Sequence, residues 1–220
     1  DLLTYSDLQS DAGRIPGAMQ NLGSNTADRC AVLLPTGLDF IRVFCGIQAA
    51  GMVPMAVNPE LPPPSLISRI KSAGCRFAVV SKPLLETIPA CQSIQYLSID
   101  ALTQNGASRQ VRGSPQPEDG AFLVATSGTS GENRTAMVLH RNVMASVRSS
   151  AQRLDIRDDD TLVIWVPLYH SLGLNRFVMG GIYFGRPVHL VSPGLLNLRR
   201  WLETITRVRA TVTGAPDFGY

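Results

Sequence analysis

Apolar positions along this chain fall into two alternating patterns. Short unbroken runs such as CAVLL (Cys30 to Leu34) are followed by longer stretches in which apolar residues recur at helical spacing. After the turn residues Pro35 to Leu38, DFIRVFCGIQAAG carries Phe40, Ile41, Val43, Phe44 and Ile47 on one stripe. That order predicts a buried strand, a turn and an amphipathic helix. Gly51 is placed to end the helix in the left-handed conformation, and VPMAV (Val53 to Val57) reads as a second buried strand. Strand, helix, strand in this order requires a parallel crossover. The unit then repeats in kind. Pro62, Pro63 and Pro64 open a helix, Leu66, Ile67, Ile70 and Ala73 give its apolar stripe, Gly74 ends it, and RFAVVS (Arg76 to Ser81) follows as a strand.

Further along, Ala121 to Ala125 and Ala136 to Leu139 predict two strands, and Val143, Met144, Val147, Ala151 and Leu154 mark the buried face of a helix. Strands are expected at Thr161 to Val166, Pro187 to Val191 and Thr211 to Thr213, with a helix around Arg199 to Val208. The pattern predicts an α/β fold with mixed, largely parallel sheets flanked by helices. The segment QNGASRQVRGSPQP (Gln104 to Pro117) is polar and rich in Gly, Ser and Pro, so it is expected as an exposed loop or a crossing between subdomains.

Composition narrows the class. With 220 residues and 45% hydrophobic content the chain can bury a sizeable core. Runs such as MVPMAV and TLVIWV are far shorter than the roughly 20 residues a membrane-spanning helix needs, so no span is expected. The first residues, DLLTYSDLQSDAGRIPG, lack a basic region followed by an apolar stretch and a cleavage site, which makes a cytoplasmic location the expectation. The net charge of +3 rests almost entirely on arginine, since Lys71 and Lys82 are the only lysines. Arg199, Arg200, Arg207 and Arg209 approach a cluster but read as a solvated helix face, so nucleic acid is not an expected partner. Cys30, Cys45, Cys75 and Cys91 lie far apart and predict buried free thiols. With only His140, His170 and His189 besides, no metal-ligating set is expected.

The stretch with most chemistry is TSGTSGENR (Thr126 to Arg134), which follows the apolar run AFLVA. Backbone N–H groups converging in a Gly-rich turn form an anion-binding concavity, and hydroxyls add donors that rotate to meet phosphate oxygens. It is not the loop of nucleotide hydrolases, because Gly128 and Gly131 are too close and no Lys-Ser or Lys-Thr follows. On these residues alone, a phosphate cradle and an ordinary polar turn both stay open.

The longer run TSGTSGENRTAMVLHRNV resembles the phosphate-loop signature of the adenylate-forming superfamily, T-S-G-[ST]-[ST]-G-x-P-K-G-V followed by histidine and asparagine. Thr126, Ser127, Gly128, Thr129, Ser130, Gly131, His140 and Asn142 match in register, while Asn133, Arg134 and Thr135 stand for proline, lysine and glycine. WVPLYHSLGL (Trp165 to Leu174) resembles the next family motif, W-x-P-L-x-H-D-x-G-L, matching at His170 and Gly173 with Ser171 in place of the aspartate. RRWLETITRVRATVTGAPDFGY (Arg199 to Tyr220) resembles the fatty acyl-AMP ligase branch, with Trp201, Arg209, Gly214, Pro216, Phe218 and Tyr220 among its matches. Together these cover nearly the whole chain.

The resemblance implies an enzyme that binds ATP and Mg²⁺, activates a fatty acid to acyl-AMP, and passes the acyl group to the phosphopantetheine arm of an acyl carrier protein in lipid or polyketide assembly. An acyl-CoA ligase, using CoA as acceptor, is a close alternative. The departures at Asn133, Arg134, Thr135 and Ser171 keep open a non-catalytic, adenylation-like module for binding or scaffolding. By resemblance, Thr126 to Gly131 and Arg134 would hold the nucleotide's phosphates, Arg134 and His170 would be catalytic, and His170, Gly173, Leu174, Phe177, Gly214 and Pro216 would meet the acyl substrate. His170 also reads as a histidine packing at a strand-to-helix turn. Leu172, Leu174, Phe177, Val178 and Ile182 read equally as acyl-tunnel wall or as core. His189 reads as a sheet residue. Residues 1–220 correspond to an N-terminal part of the family's large domain, without its adenine and ribose motifs or C-terminal domain, so these residues alone are expected not to form acyl-AMP.

Overall fold

The computed structural model describes residues 1–104, 114–125 and 134–215. TSGTSGEN, Pro216, Phe218, Tyr220 and most of the linker-like segment lie outside the described residues. The chain divides into two compact units, Asp1–His140 and Arg141–Tyr220.

The first unit is built on a six-stranded sheet. Its strands are β1 (Arg29–Leu33), β2 (Val53–Ala56), β3 (Cys75–Val80), β4 (Gln95–Ser98), β5 (Gly120–Ala125) and β6 (Thr135–Leu139). They lie in the order β4-β3-β1-β2-β5-β6, parallel throughout except for the antiparallel pair β5 and β6. Strand β1 is central, and Cys30 to Leu33 are fully buried, which is why its sequence is a continuous apolar run rather than an alternating one.

Both predicted crossovers are present. Helix α3 (Leu38–Ala49) buries Phe40, Ile41, Val43, Phe44 and Ile47, and α4 (Pro63–Ser72) buries Leu66 and Ile70. Each buried side chain of this size contributes about 1.5–3 kcal/mol. Gly51 ends α3 with φ 71°, while the Met52 N–H donates to the Ile47 carbonyl and the Gly51 N–H to the Gln48 carbonyl. This pair of bonds satisfies carbonyls that the helix end leaves open. Gly74, at φ 68°, ends α4 likewise, and the Arg29 guanidinium donates to the Ala73 carbonyl at 2.7 Å.

Two N-terminal helices, α1 (Tyr5–Ala12) and α2 (Ile15–Asn21), lie beyond the predicted elements, as do α5 (Lys82–Thr87), β4 and α6 (Ile99–Gln104). Thr4 and Asp7 close a reciprocal capping box on α1. The Arg42 guanidinium of α3 holds Asp11 at 2.8 Å.

The second unit has a three-stranded parallel sheet, β8-β7-β9, formed by β7 (Leu162–Ile164), β8 (Val188–Leu190) and β9 (Val212–Gly214). Helix α7 (His140–Leu154) leads into it. A π-helical stretch (Leu172–Met179) continues directly into α8 (Gly180–Phe184), and a 3₁₀ turn precedes α9 (Leu198–Val208). The Trp201 ring stacks on Trp165 at 5.4 Å between centroids. Its indole N–H donates to Thr213 Oγ1, which in turn donates to the Val163 carbonyl, fixing α9 to both β7 and β9.

Two expectations are corrected. Leu154 is 57% exposed rather than buried, because the apolar stripe of α7 sinks into the unit only at Val143 and Val147. Cys45 and Cys91 are half-buried rather than fully buried thiols: the Cys91 sulfur lies 3.3 Å from Ser93 Oγ, a hydrogen bond that lowers its pKa, whereas burial raises those of Cys30, Cys45 and Cys75. Helices α2 and α3 meet where a Cβ on Gly46 would sit 2.7 Å from Ile15 Cβ. Gly46→Ala is therefore expected to cost about 1–3 kcal/mol, read as a lower urea midpoint, and an unchanged midpoint would mean that Ile15 yields without strain.

Candidate functional site

Strands β5 and β6 pair antiparallel up to Ala125 and Thr135, so they bring the two ends of residues 126–134 together at one end of the sheet. Arg134 stands just before β6 in the first unit with an exposed side chain. Thr126, Ser127, Gly128, Thr129, Ser130 and Gly131 lie outside the described residues. His140 opens α7, and its backbone N–H donates to the Asp119 carbonyl at 3.0 Å. Burial lowers the imidazole pKa, and the Asp119 charge partly opposes that shift.

In the second unit, His170 lies in the turn between β7 and the π-helical stretch. Its N–H donates to the Pro167 carbonyl, its own carbonyl accepts from Leu174, and its exposed ring packs against Tyr169 at 4.9 Å. Gly173 explains why the turn is so tight: a Cβ there would lie 2.9 Å from the Pro167 carbonyl oxygen and 3.1 Å from that of Val166. Only glycine allows the helical stretch to begin this close to the strand end. π-helical turns are uncommon and recur at functional sites. This one leaves the buried Asn175 Oδ1 without a hydrogen-bond partner among the described residues.

A cavity of about 280 Å³ opens within this unit. Leu172, Arg176, Gly180 and Phe184 line it at four-residue spacing, Val147, Ser150 and Leu154 face them from α7, and Gly214 and Ala215 lie at the end of β9. The Phe177 ring rests directly on Gly214, where a Cβ would fall 2.5 Å from Phe177 Cε2. The structure thus brings together Phe177 and Gly214 among the expected substrate residues. Leu174 is 1% exposed and Val178 is 2% exposed, and neither reaches the cavity, so both belong to the core. Pro216 is outside the described residues. His189 lies half-buried in β8, as a sheet residue.

Sequence reasoning missed the α7 wall, Arg176 and Arg186. The available signal for Arg176 was a charge inside the mostly apolar helical run LGLNRFVMGG (Leu172 to Gly181). Among the described residues no cluster of His, Cys, Asp or Glu is arranged to hold a metal, and no helix is long and apolar enough to cross a membrane.

The fold is that of the N-terminal domain of adenylate-forming enzymes. The family model described as AMP-binding enzyme matches residues 1–218, and the chain belongs to that family. A structure from work on fatty acyl-adenylate ligases of E. coli and L. pneumophila superposes with a TM-score of 0.91 at 26% identity, covering 100% of this chain and 42% of that one. A long-chain-fatty-acid–CoA ligase of Mycobacterium tuberculosis is 23% identical over 97% of this chain and 44% of its own length. A medium-chain-fatty-acid–[acyl-carrier-protein] ligase of Moorena producens is 24% identical over 99% of this chain and 39% of its own length. The chain therefore spans less than half the length of these relatives.

His140 and His189 share a consequence for stability. Burial holds both below the ordinary 6.5, and for His189 the Arg207 charge adds to the effect. Acid therefore protonates these two groups in the unfolded chain first, so their contribution to stability is greatest above pH 6.5, falls as the pH drops through that value, and levels off below the folded-state pKa values. His189→Asn is expected to lessen the drop in melting temperature between about pH 7 and pH 5. An unchanged slope would remove His189 from this account.

Proposed function

We propose that the protein carrying this chain activates a fatty acid with ATP, and that the acyl group then passes to the phosphopantetheine thiol of an acyl carrier protein. The observation that carries this reading is the cavity, a largely apolar site whose wall begins at Leu172, two residues after His170, and is closed by Phe177 on Gly214. Family membership supports adenylation as the chemistry. In this reading residues 1–220 correspond to an N-terminal part of the large domain.

The substrate carboxylate attacks the α-phosphorus of ATP, a P–O bond to the β-phosphate breaks, and pyrophosphate leaves. Two anions meet in this step, so its barrier depends on charge neutralisation and alignment. Arg134, exposed at the start of β6, fits the cationic part: its forked guanidinium pairs with phosphate oxygens where the family pattern has lysine. Thr126 to Gly131 would add backbone N–H and hydroxyl donors. Mg²⁺, brought in with ATP, would supply further charge neutralisation. By the family resemblance His170, exposed in the turn two residues before Leu172, would meet the acyl carboxylate.

The likeness to a CoA ligase favours one alternative acceptor, CoA, for the same activated acid. Full-length protein incubated with ATP and fatty acids of graded length separates the readings. Acyl-AMP formed without CoA supports the proposal, accumulation of acyl-CoA supports the alternative, and neither product would leave a non-catalytic module. In ATP–pyrophosphate exchange, Arg134→Ala is expected to lower the rate about 10²-fold or more, with Arg134→Lys retaining most of it. A rate unaffected by Arg134→Ala would remove the residue from the mechanism. Phe177→Ala opens the floor of the cavity and is expected to move the preferred acid toward longer chains, a shift read from kcat/KM across the same series; an unmoved optimum contradicts its place in the wall.

A further inference from the structure

The cavity is not uniformly apolar. Ser150, Arg176, Arg186 and Thr213 also line it. Two of these four are already engaged. Thr213 Oγ1 bridges Trp201 and the Val163 carbonyl, and Arg186 donates to the Phe184 carbonyl at 2.7 Å and pairs with Asp158 at 3.1 Å. Among the described residues, the side chains of Ser150 and Arg176 have no hydrogen bond or ion pair.

Burial orders the lining from floor to mouth. Val147, Leu162 and Phe177 are at most 6% exposed and form the floor, while Arg176 is exposed and stands at the mouth. Arg176 also belongs to the row Leu172, Arg176, Gly180 and Phe184 that leads away from His170. It lies six positions after His170 in the sequence. The cavity's 280 Å³ accommodates about nine groups of the size of a water at ~30 Å³ each, the scale of a medium-length acyl chain.

A purely alkyl chain filling this space strips water from the Arg176 guanidinium and gives nothing back, which is costly for a charged donor. An oxygen on the chain converts that cost into a charge-assisted hydrogen bond. We propose, resting on the fatty-acid reading above, that the preferred substrate is a medium-length acid whose chain carries a distal oxygen acceptor, such as a hydroxyl or a second carboxylate, read by Arg176 with Ser150 beside it. Arg176 is a specificity-determining residue in this account. The competing arrangement, in which the arginine stem merely covers apolar surface and its head stays in water, makes no such distinction.

The test uses full-length protein and three acids of one length: decanoic, 10-hydroxydecanoic and decanedioic acid. Calorimetric binding of each acid is measured alongside ATP–pyrophosphate exchange, in wild type, Arg176→Leu and Arg176→Lys. The expected result is a preference of about tenfold or more for an oxygenated acid over decanoic acid, retained in part by Arg176→Lys and reduced to near parity by Arg176→Leu. Equal or better binding of decanoic acid by wild type, or a preference that survives Arg176→Leu, overturns the proposal. Absence of exchange with every acid while the binding preference persists would count against adenylation and leave the role of Arg176 standing.

Discussion

The second unit depends on close approach between a helical stretch and the strands beneath it, at distances that only residues without a side chain permit. Gly173 lets the stretch start against the Pro167 carbonyl, and Gly214 lets the Phe177 ring lie on the end of β9. Gly181 takes the Val188 side chain in the same way. Enlarging any of these positions would push the helical stretch off the sheet. The cavity is what remains between that stretch and α7 once the three contacts are made.

The same constraint connects fold to chemistry. The turn carrying His170 is fixed from both sides, by its N–H bond to Pro167 and by the Leu174 bond to its carbonyl, so its backbone is held two residues before Leu172, where the cavity lining begins. Below it, Trp201 and Thr213 tie α9 to β7 and β9 through two hydrogen bonds and an indole stack. A polar relay at this point keeps β9 in register, and with it the Gly214 seat for Phe177. In the first unit, rigidity comes instead from a largely parallel sheet whose central strand is apolar and fully buried from Cys30 to Leu33. That sheet positions the two ends of the Ser- and Gly-rich stretch, with Arg134 at its exit.

What the sequence made legible follows from where burial is two-sided. Cys30 to Leu34, Val53 to Val57 and Arg76 to Ser81 were readable because a parallel strand covered on both faces has to be continuously apolar. Gly51 and Gly74 were readable as helix ends because each takes a positive φ. Helices α1 and α2 were not, since α1 buries only Leu8 and Ala12 and is held by the Thr4–Asp7 box, in which aspartate replaces the usual Glu or Gln. Leu154 misled because an apolar stripe does not reveal whether its last residue meets core or a cavity mouth. For the site, Phe177 and Gly214 could be named from motif resemblance, but their contact could not, because 36 residues intervene and only the fold of β9 beside β7 brings them together. Arg176 and Ser150 belong to no motif, and their importance comes from what surrounds them.

The central claim is that the space between α7 and the π-helical stretch is where the acyl chain lies. Photolabelling of full-length protein with a medium-chain fatty acid bearing a diazirine, followed by peptide mapping, tests it directly. The account predicts adducts within residues 147–156, 172–186 and 212–215, suppressed by excess unlabelled acid. Suppressible adducts confined to other parts of the protein would contradict it.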